Sequence, residues 1–190
     1  MALVYLVQHA QKEARPGDPG LTALGREQAR RITRWLAGRD VLRLYSSPLL
    51  RAVETAEVIA AGLGLTVGLD SRLRERVNWD GGLTLQSFSE HWERSVRDRD
   101  FVPPGGDSSR QAGERMRAFL QDLAPLHGTV AAVTHGGVTT DLLRTLLGDD
   151  QLPASMLRDG NPPCAITTIR VSPDDIRGWR VTAVSSGVYG

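Results

Sequence analysis

Apolar residues along this chain occur either in short continuous runs or at helical spacing. Residues 2–7 and 129–134 form runs of the kind expected in strands buried on both faces of a parallel sheet. Between these runs apolar residues recur every three or four positions, as in Leu49, Val53 and Ala56, which predicts amphipathic helices packed on the sheet. The alternation predicts an α/β fold, a three-layer α/β/α sandwich around a mostly parallel central sheet.

Turn and capping residues set the bounds of the predicted elements. Thr22 is the predicted cap of the first helix, and Ser47 followed by Pro48 is the predicted start of the second. The predicted strands are 2–7, 41–46, 65–69 and 129–134, and the predicted helices are 22–37, 47–63, 84–96, about 112–123 and 136–147. Residues 164–171 and 176–184, joined by a turn at 172–175, predict an antiparallel edge near the C-terminus.

No internal repeat, low-complexity tract or linker interrupts the chain, so a single domain is expected over residues 1–190. The region of about 75–109 mixes charged loop residues with one amphipathic helix, and we expect it to form a lid or insertion over the sheet edge. Leu85, Phe88 and Trp92 lie at helical spacing in this region. Such a stripe is more often core, and the alternative is that Phe88 and Trp92, with Trp79 and Phe101, line a substrate site in the lid.

Composition narrows the class of protein. The only cysteine is Cys164, so no intrachain disulfide is possible, and no apolar run approaches the length of a membrane span. A net charge of +1 without a dense basic run gives no reason to expect nucleic acid or membrane partners. We therefore expect a cytoplasmic protein. Nothing in the pattern predicts its oligomeric state.

Arginine is so common in this chain that a single arginine is weak evidence of function. Of the 23 basic residues Lys12 is the only lysine, which leaves 22 arginines. Most arginines in such a chain are expected to be solvated or to form surface ion pairs worth about 0–1 kcal/mol.

Two histidines follow the apolar runs directly and are the first candidates for chemistry. His9 and His135 lie where strands end, and Arg51 and Glu75 follow later strands. The carboxyl ends of parallel strands meet at one edge of a sheet, so these side chains are expected to share a crevice. Gly136 begins the helix after His135, and its free N–H groups favour an anion. The set therefore indicates phosphate. A zinc site is the other common use of two histidines and a carboxylate, but no HxxxH or cysteine pair supports one.

Five stretches in order carry a resemblance to a known family: VQHAQK, LTALGREQA, SSPLLRAVETAEVIA, LRE ahead of a tryptophan, and VTHGGVTTDLL. By these five stretches taken together, the chain resembles a histidine phosphatase, of the superfamily that includes phosphoglycerate mutase-like phosphatases. The resemblance implies that His9 attacks phosphorus and forms a phosphohistidine, and that Arg51 and His135 bind the phosphoryl oxygens. It implies that Glu75 protonates the leaving oxygen and then activates water. No metal or other cofactor is implied, because arginine and imidazole groups supply the positive charge.

The chain departs from the family where it has Gln8, since the family usually places an arginine before the nucleophile. Glutamine donates a hydrogen bond but carries no charge and no two-pronged guanidinium. Arg15 lies seven residues further on and is a candidate replacement. Asp80 is a second candidate for the acid beside Glu75.

Three functions stay open at this point. The first is a metal-independent phosphatase acting on a small phosphomonoester or phosphoramidate. The second, motivated by Gln8, is a catalytically impaired module that binds phosphate or a phosphoprotein. The third and weaker one is a phosphoglycerate mutase-type transferase, for which the chain is short.

Overall fold

The computed structural model describes residues 1–173 and 179–185, and within them the chain folds around one six-stranded sheet. The strands are β1 (Ala2–Gln8), β2 (Val41–Ser46), β3 (Val67–Leu69), β4 (Gly128–Thr134), β5 (Ile166–Val171) and β6 (Arg180–Ser185). Their order across the sheet is β3-β2-β4-β1-β5-β6. Strands β1 to β4 run parallel to one another, whereas β5 pairs antiparallel with β1 and β6 pairs antiparallel with β5. The predicted parallel core with an antiparallel edge is therefore confirmed.

Helices cover both faces of this sheet. They are α1 (Ala23–Ala37), α2 (Leu50–Leu63), α3 (Leu85–Arg97), α4 (Ser109–Leu123), α5 (Gly136–Leu147) and α6 (Ala154–Asp159), with short 3-10 turns at Ser71–Leu73 and Asp149–Gln151. Thr22 caps α1 as predicted, its hydroxyl accepting from the Gly25 amide. Across the described residues, none of the helices has the length and hydropathy needed to cross a membrane.

Strand β1 divides the core into two layers because its successive side chains point to opposite faces. Val4 and Leu6 pack in the cluster that includes α4 and α5, whereas Tyr5 and Val7 pack in the cluster that includes α1 and α2. Burying one side chain of the size of Leu6 contributes roughly 1.5–3 kcal/mol. The two layers hold β1 at the centre, so its carboxyl end is rigidly placed.

Helix α2 begins later than the Ser47-Pro48 pattern predicts. Its N-cap is Leu49, and the carboxylate of Asp18, from the loop after β1, accepts the Leu50 amide at 2.9 and 3.0 Å. The hydroxyl of Ser47 accepts from the amide of Leu49 at 3.3 Å and lies 2.7 Å from Nε2 of His135. A distant loop supplies the cap of α2, and the serine links the start of this helix to the histidine.

Other bounds differ in smaller ways. Strand β3 is three residues long instead of the predicted five, and α6 was not predicted. The predicted strand 176–184 corresponds to β6 in part. Residues 174–178, which include part of the predicted turn at 172–175, lie outside the described residues.

The stripe on α3 is the clearest exception to the predicted core. Leu85, Phe88 and Trp92 belong to neither core cluster. They line a cavity together with His9. Helical spacing marks a shared apolar face, and here that face borders a cavity instead of the core.

Candidate active site

Three adjacent strands, β2, β4 and β1, end side by side at the candidate site. The amide of His9 donates to the carbonyl of Thr134 at 3.0 Å, and the amide of Ser47 donates to that of Val133 at 2.9 Å. These bonds extend the parallel ladder by one residue on each side of β4. His9, Ser47 and His135 therefore leave the sheet as neighbours, as the strand-end rule predicts.

A cavity of about 500 Å³ opens at this edge and brings four predicted site residues together. His9, Arg15, Arg51 and Glu75 all line it. His135 is fully buried behind His9, with the two ring centroids 5.1 Å apart. Gln8 and Gly136 were also predicted at the site. They are buried beside it but are not among the residues that line the cavity.

The hydrogen bonds of His9 fix which ring nitrogen carries the proton and which carries the reactive lone pair. Nδ1 lies 2.8 Å from the carbonyl oxygen of Ala10, which can only accept, so Nδ1 carries the proton. Nε2 then has the lone pair, and it accepts from Nε–H of Arg51 at 3.2 Å. Burial, and then the charge of Arg51, lower the pKa of His9 to about 3. The imidazole is therefore neutral and nucleophilic at neutral pH.

Arg51 is held by groups on two loops. Its guanidinium is 4% exposed and donates to Oδ1 of Asn78 at 3.1 Å, with the carboxylate of Asp18 3.8 Å away. Asn78 in turn donates to the carbonyl of Gly17 at 2.7 Å. Asn78 was not predicted, since no motif surrounds it. It links the loop after Glu75 to the loop after β1 through the arginine.

His135 faces Ser47 on one side and is unpartnered on the other. Its Nε2 lies 2.7 Å from the Ser47 hydroxyl, while Nδ1 is buried without a hydrogen-bond partner among the described residues. Burial, then the nearby His9 and Arg51, hold the pKa of His135 well below its ordinary value. The ring is therefore neutral without a bound anion.

Glu75 occupies the helix end that the sequence marked as an anion site. Its carboxylate accepts from the amides of Gly137 at 3.0 Å, Val138 at 2.8 Å and Arg76 at 2.8 Å. The acceptor at the first turn of α5 is thus a side chain of the protein, whose carboxyl oxygens meet the amides that the start of a helix leaves unpaired. Gly137 is required here, because a Cβ would lie 2.4 Å from Trp92 and 2.7 Å from Glu75.

Two cations that line the cavity are candidates to replace the positive charge that Gln8 lacks. Oε1 of Gln8 is buried and has no hydrogen-bond partner in the part of the chain that the structure describes. Arg15 lines the cavity but is 61% exposed and pairs with Glu13 at 2.7 Å. Lys12 also lines the cavity, and burial and the charge of Arg51 lower its pKa. Sequence reasoning missed Lys12. Lys12 is the only lysine in a chain with 22 arginines, and this was the sequence feature that could have indicated a special role for it.

Asp80, the second candidate acid, lies apart from His9. It is exposed, accepts from the Gly82 amide at 2.8 Å and lines a neighbouring cavity of about 250 Å³. Over residues 1–173 and 179–185, no cluster of three or more His, Cys, Asp or Glu side chains is placed to hold a metal ion.

Replacing His9 with asparagine is expected to reduce the loss of stability in acid. The pKa is about 3 in the folded protein and about 6.5 in an unfolded chain, so the unfolded state binds more protons between these values. Stability from His9 is complete above about pH 6.5 and falls as the pH falls towards 3. Urea unfolding at about pH 7.5 and about pH 5 measures how much the free energy of unfolding falls between these pH values.

Two comparisons isolate the histidine. Burial raises the pKa of Asp141 to about 6, so the contribution of Asp141 to the free energy of unfolding falls as the pH rises, opposite to that of His9. The parent protein and His9→Asn both retain Asp141, so its effect cancels in the comparison. The exposed His127 provides the matched control His127→Asn. An unchanged slope in His9→Asn would contradict the low pKa.

Comparison with known proteins identifies the family of this chain. A family model described as the histidine phosphatase superfamily (branch 1) matches residues 4–184. The probable phosphoglycerate mutase GpmB of Proteus mirabilis (strain HI4320) is 33% identical over 199 residues, covering 94% of this chain and 90% of that protein. 

Solved structures give the same result. A mycobacterial glucosyl-3-phosphoglycerate phosphatase in complex with VO3 has a TM-score of 0.78 at 26% identity, covering 97% of this chain and 99% of that one. Its complex with inorganic phosphate has a TM-score of 0.79 at 27% identity, covering 98% of each chain. These matches confirm the resemblance seen in the motifs. Because the family model spans nearly the whole chain, this protein belongs to the histidine phosphatase superfamily, branch 1.

Proposed function

We propose that this protein is a metal-independent phosphatase that hydrolyses a small phosphomonoester, or a phosphoramidate, through a phosphohistidine on His9. The contact that carries the proposal is the one between Nε2 of His9 and Nε of Arg51, 3.2 Å apart inside the cavity. It combines a neutral nucleophile with the cation that a phosphoryl group needs. Glu75 lines the same cavity and supplies a carboxyl group for proton transfer.

The reaction has two steps that balance. Nε2 of His9 forms a bond to phosphorus as the bond to the leaving oxygen breaks, and Glu75 gives that oxygen a proton. Water then attacks phosphorus, Glu75 takes the proton, and the nitrogen–phosphorus bond breaks to release phosphate. Arg51 and His135 stabilise the charge on the phosphoryl oxygens in both steps. The bond from Nδ1 to the Ala10 carbonyl keeps the reactive tautomer throughout.

The comparisons support an enzyme acting on a phosphorylated small molecule, and they point to two reactions. The structural neighbours named above are phosphatases, whereas the curated relatives are probable phosphoglycerate mutases. A mutase transfers the phosphoryl group back to a second position of the substrate, whereas a phosphatase passes it to water. Interconversion of 2- and 3-phosphoglycerate, without release of phosphate, would favour the mutase.

Gln8 motivates the alternative of a phosphate- or phosphoprotein-binding module. Loss of one donor to a developing charge costs about 10²- to 10³-fold in rate. We propose that two cations that line the cavity, Lys12 and Arg15, compensate, and that Lys12 contributes more than Arg15. Arg15 already pairs with the Glu13 carboxylate, whereas the Lys12 ammonium donates to the backbone carbonyl of Glu13 at 3.2 Å.

A charge-swap experiment tests the proposed function and this compensation together. Lys12→Met is expected to lower kcat/KM for p-nitrophenyl phosphate by about 10²-fold, because it removes a cation from the phosphoryl site. Gln8→Arg in the Lys12→Met background is expected to restore most of the loss, whereas a merely structural role of Lys12 would not be rescued. The matched control Arg15→Gln is expected to change the rate by less than about 3-fold.

Each other outcome has a defined meaning. Full activity in Lys12→Met with a loss in Arg15→Gln would assign the compensation to Arg15. A parent protein that binds phosphate but forms no phosphohistidine, with turnover appearing in Gln8→Arg, would favour the binding module. Rapid turnover by the parent excludes that alternative.

A further inference from the structure

One wall of the cavity consists of aromatic side chains. The ring centroids of Trp79 and Phe88 are 6.4 Å apart, as are those of Phe88 and Trp92. These separations are typical of aromatic rings in contact. Val77 and Leu85 line the same cavity. The wall is therefore a continuous apolar surface beside His9.

The polar atoms of these rings are already engaged. Nε1–H of Trp79 donates to the carbonyl of Leu83 at 2.9 Å, and Nε1–H of Trp92 donates to that of Arg158 at 3.1 Å. Neither indole N–H is left for a ligand. Asn78, which also lines the cavity, donates to one backbone carbonyl and accepts from Arg51. Among the described residues, this side of the cavity offers an alcohol few hydrogen-bonding groups.

Helix α3 places Leu85, Phe88 and Trp92 along the cavity, where part of their apolar surface remains exposed. Ser95 is the buried residue of this helix, while Leu85 is 59% exposed. A helix that packs into a core buries its apolar face instead. Exposed apolar surface next to reactive groups is characteristic of a ligand-binding groove. This observation concerns the alcohol portion of the substrate, because the phosphoryl group lies with His9 and Arg51.

We propose that the site prefers phosphomonoesters whose alcohol is an apolar ring compound, held against Trp79, Phe88 and Trp92. The inference rests on the proposed function and specifies its substrate class. An apolar ring is removed from water and contacts the aromatic side chains in an offset-stacked or edge-to-face arrangement. A polyhydroxylated or carboxylated alcohol would lose its hydrogen bonds to water and gain few in return.

Two primary alkyl phosphates of similar leaving ability test the preference. We expect kcat/KM for 2-phenylethyl phosphate to exceed that for glycerol 1-phosphate by about 10- to 100-fold. 3-Phosphoglycerate serves as the anionic comparison, since the Lys12 and Arg15 cations that line the cavity would attract its carboxylate. Equal values for the three esters, or a preference for either polar one, would overturn the inference while leaving the phosphatase itself established.

Variants in the wall separate ring binding from general damage. Phe88→Ala is expected to lower the ratio of kcat/KM for the phenylethyl ester to kcat/KM for the glycerol ester by about 10-fold. Phe101→Ala is the matched control, since Phe101 packs against His91 and Arg94 outside the cavity lining. Equal losses with both esters would contradict ring binding.

Binding measured without turnover keeps this inference distinct from the proposed function. Calorimetry on His9→Ala gives Kd values for the phenylethyl and glycerol esters, and the expected ratio favours the phenylethyl ester by about 10-fold or more. An inactive parent that retains this ratio would overturn the proposed function and support the ring preference. Equal Kd values would overturn the ring preference, whatever the activity.

Discussion

His9→Ala is expected to lower kcat for p-nitrophenyl phosphate by about 10⁴- to 10⁶-fold, the range seen when an enzyme loses its nucleophile. The variant lacks Nε2, the imidazole nitrogen that accepts from Arg51 inside the cavity. It is also expected to form no phosphoenzyme. Rapid quenching into base, which preserves phosphohistidine, followed by detection of labelled phosphate on the chain, measures the intermediate directly.

Controls separate lost chemistry from lost structure. His127→Ala removes an exposed imidazole from a turn and is expected to keep full activity. Binding of inorganic phosphate to His9→Ala is expected to persist, because Arg51 and His135 remain. A phosphoenzyme that still forms in His9→Ala would show that another residue is the nucleophile. Turnover near the parent rate would exclude covalent catalysis by His9.

The parts of the site that follow from local patterns were predictable from the sequence. Strand ends predicted that His9 and His135 meet, because parallel strands place their carboxyl ends together. The same rule placed Arg51 and Glu75 in the cavity. The parallel core and the antiparallel edge followed from the order of apolar runs.

The parts that depend on distant loops were not predictable. The cap of α2 comes from Asp18, which lies 32 positions before Leu50, so nothing local signals it. Asn78 contacts Arg51 across 27 positions for the same reason. The stripe on α3 predicted the helix correctly but did not decide between a core face and a cavity wall, because spacing shows which residues share a face and not what that face contacts.

Glu75→Gln is expected to affect substrates according to how much protonation their leaving group needs. For glycerol 1-phosphate, kcat/KM is expected to fall by about 10²- to 10⁴-fold, the usual contribution of a general acid. For p-nitrophenyl phosphate the expected fall is much smaller, since p-nitrophenolate leaves without a proton. The parameter kcat/KM is the right measure, because it reports the steps up to release of the alcohol.

The second step gives Glu75→Gln a signature that a structural defect would not produce. Without a base to activate water, phosphohistidine is expected to accumulate, with a burst of p-nitrophenolate equal to the enzyme concentration followed by slow turnover. Glu75 also accepts from the amides of Gly137 and Val138. A loss of activity that arose from these contacts alone would lower kcat/KM equally for both substrates and would give no burst. Asp80→Asn is the matched control, and parent-like kinetics are expected because Asp80 lines the neighbouring cavity. A burst in Asp80→Asn and none in Glu75→Gln would transfer the role to Asp80.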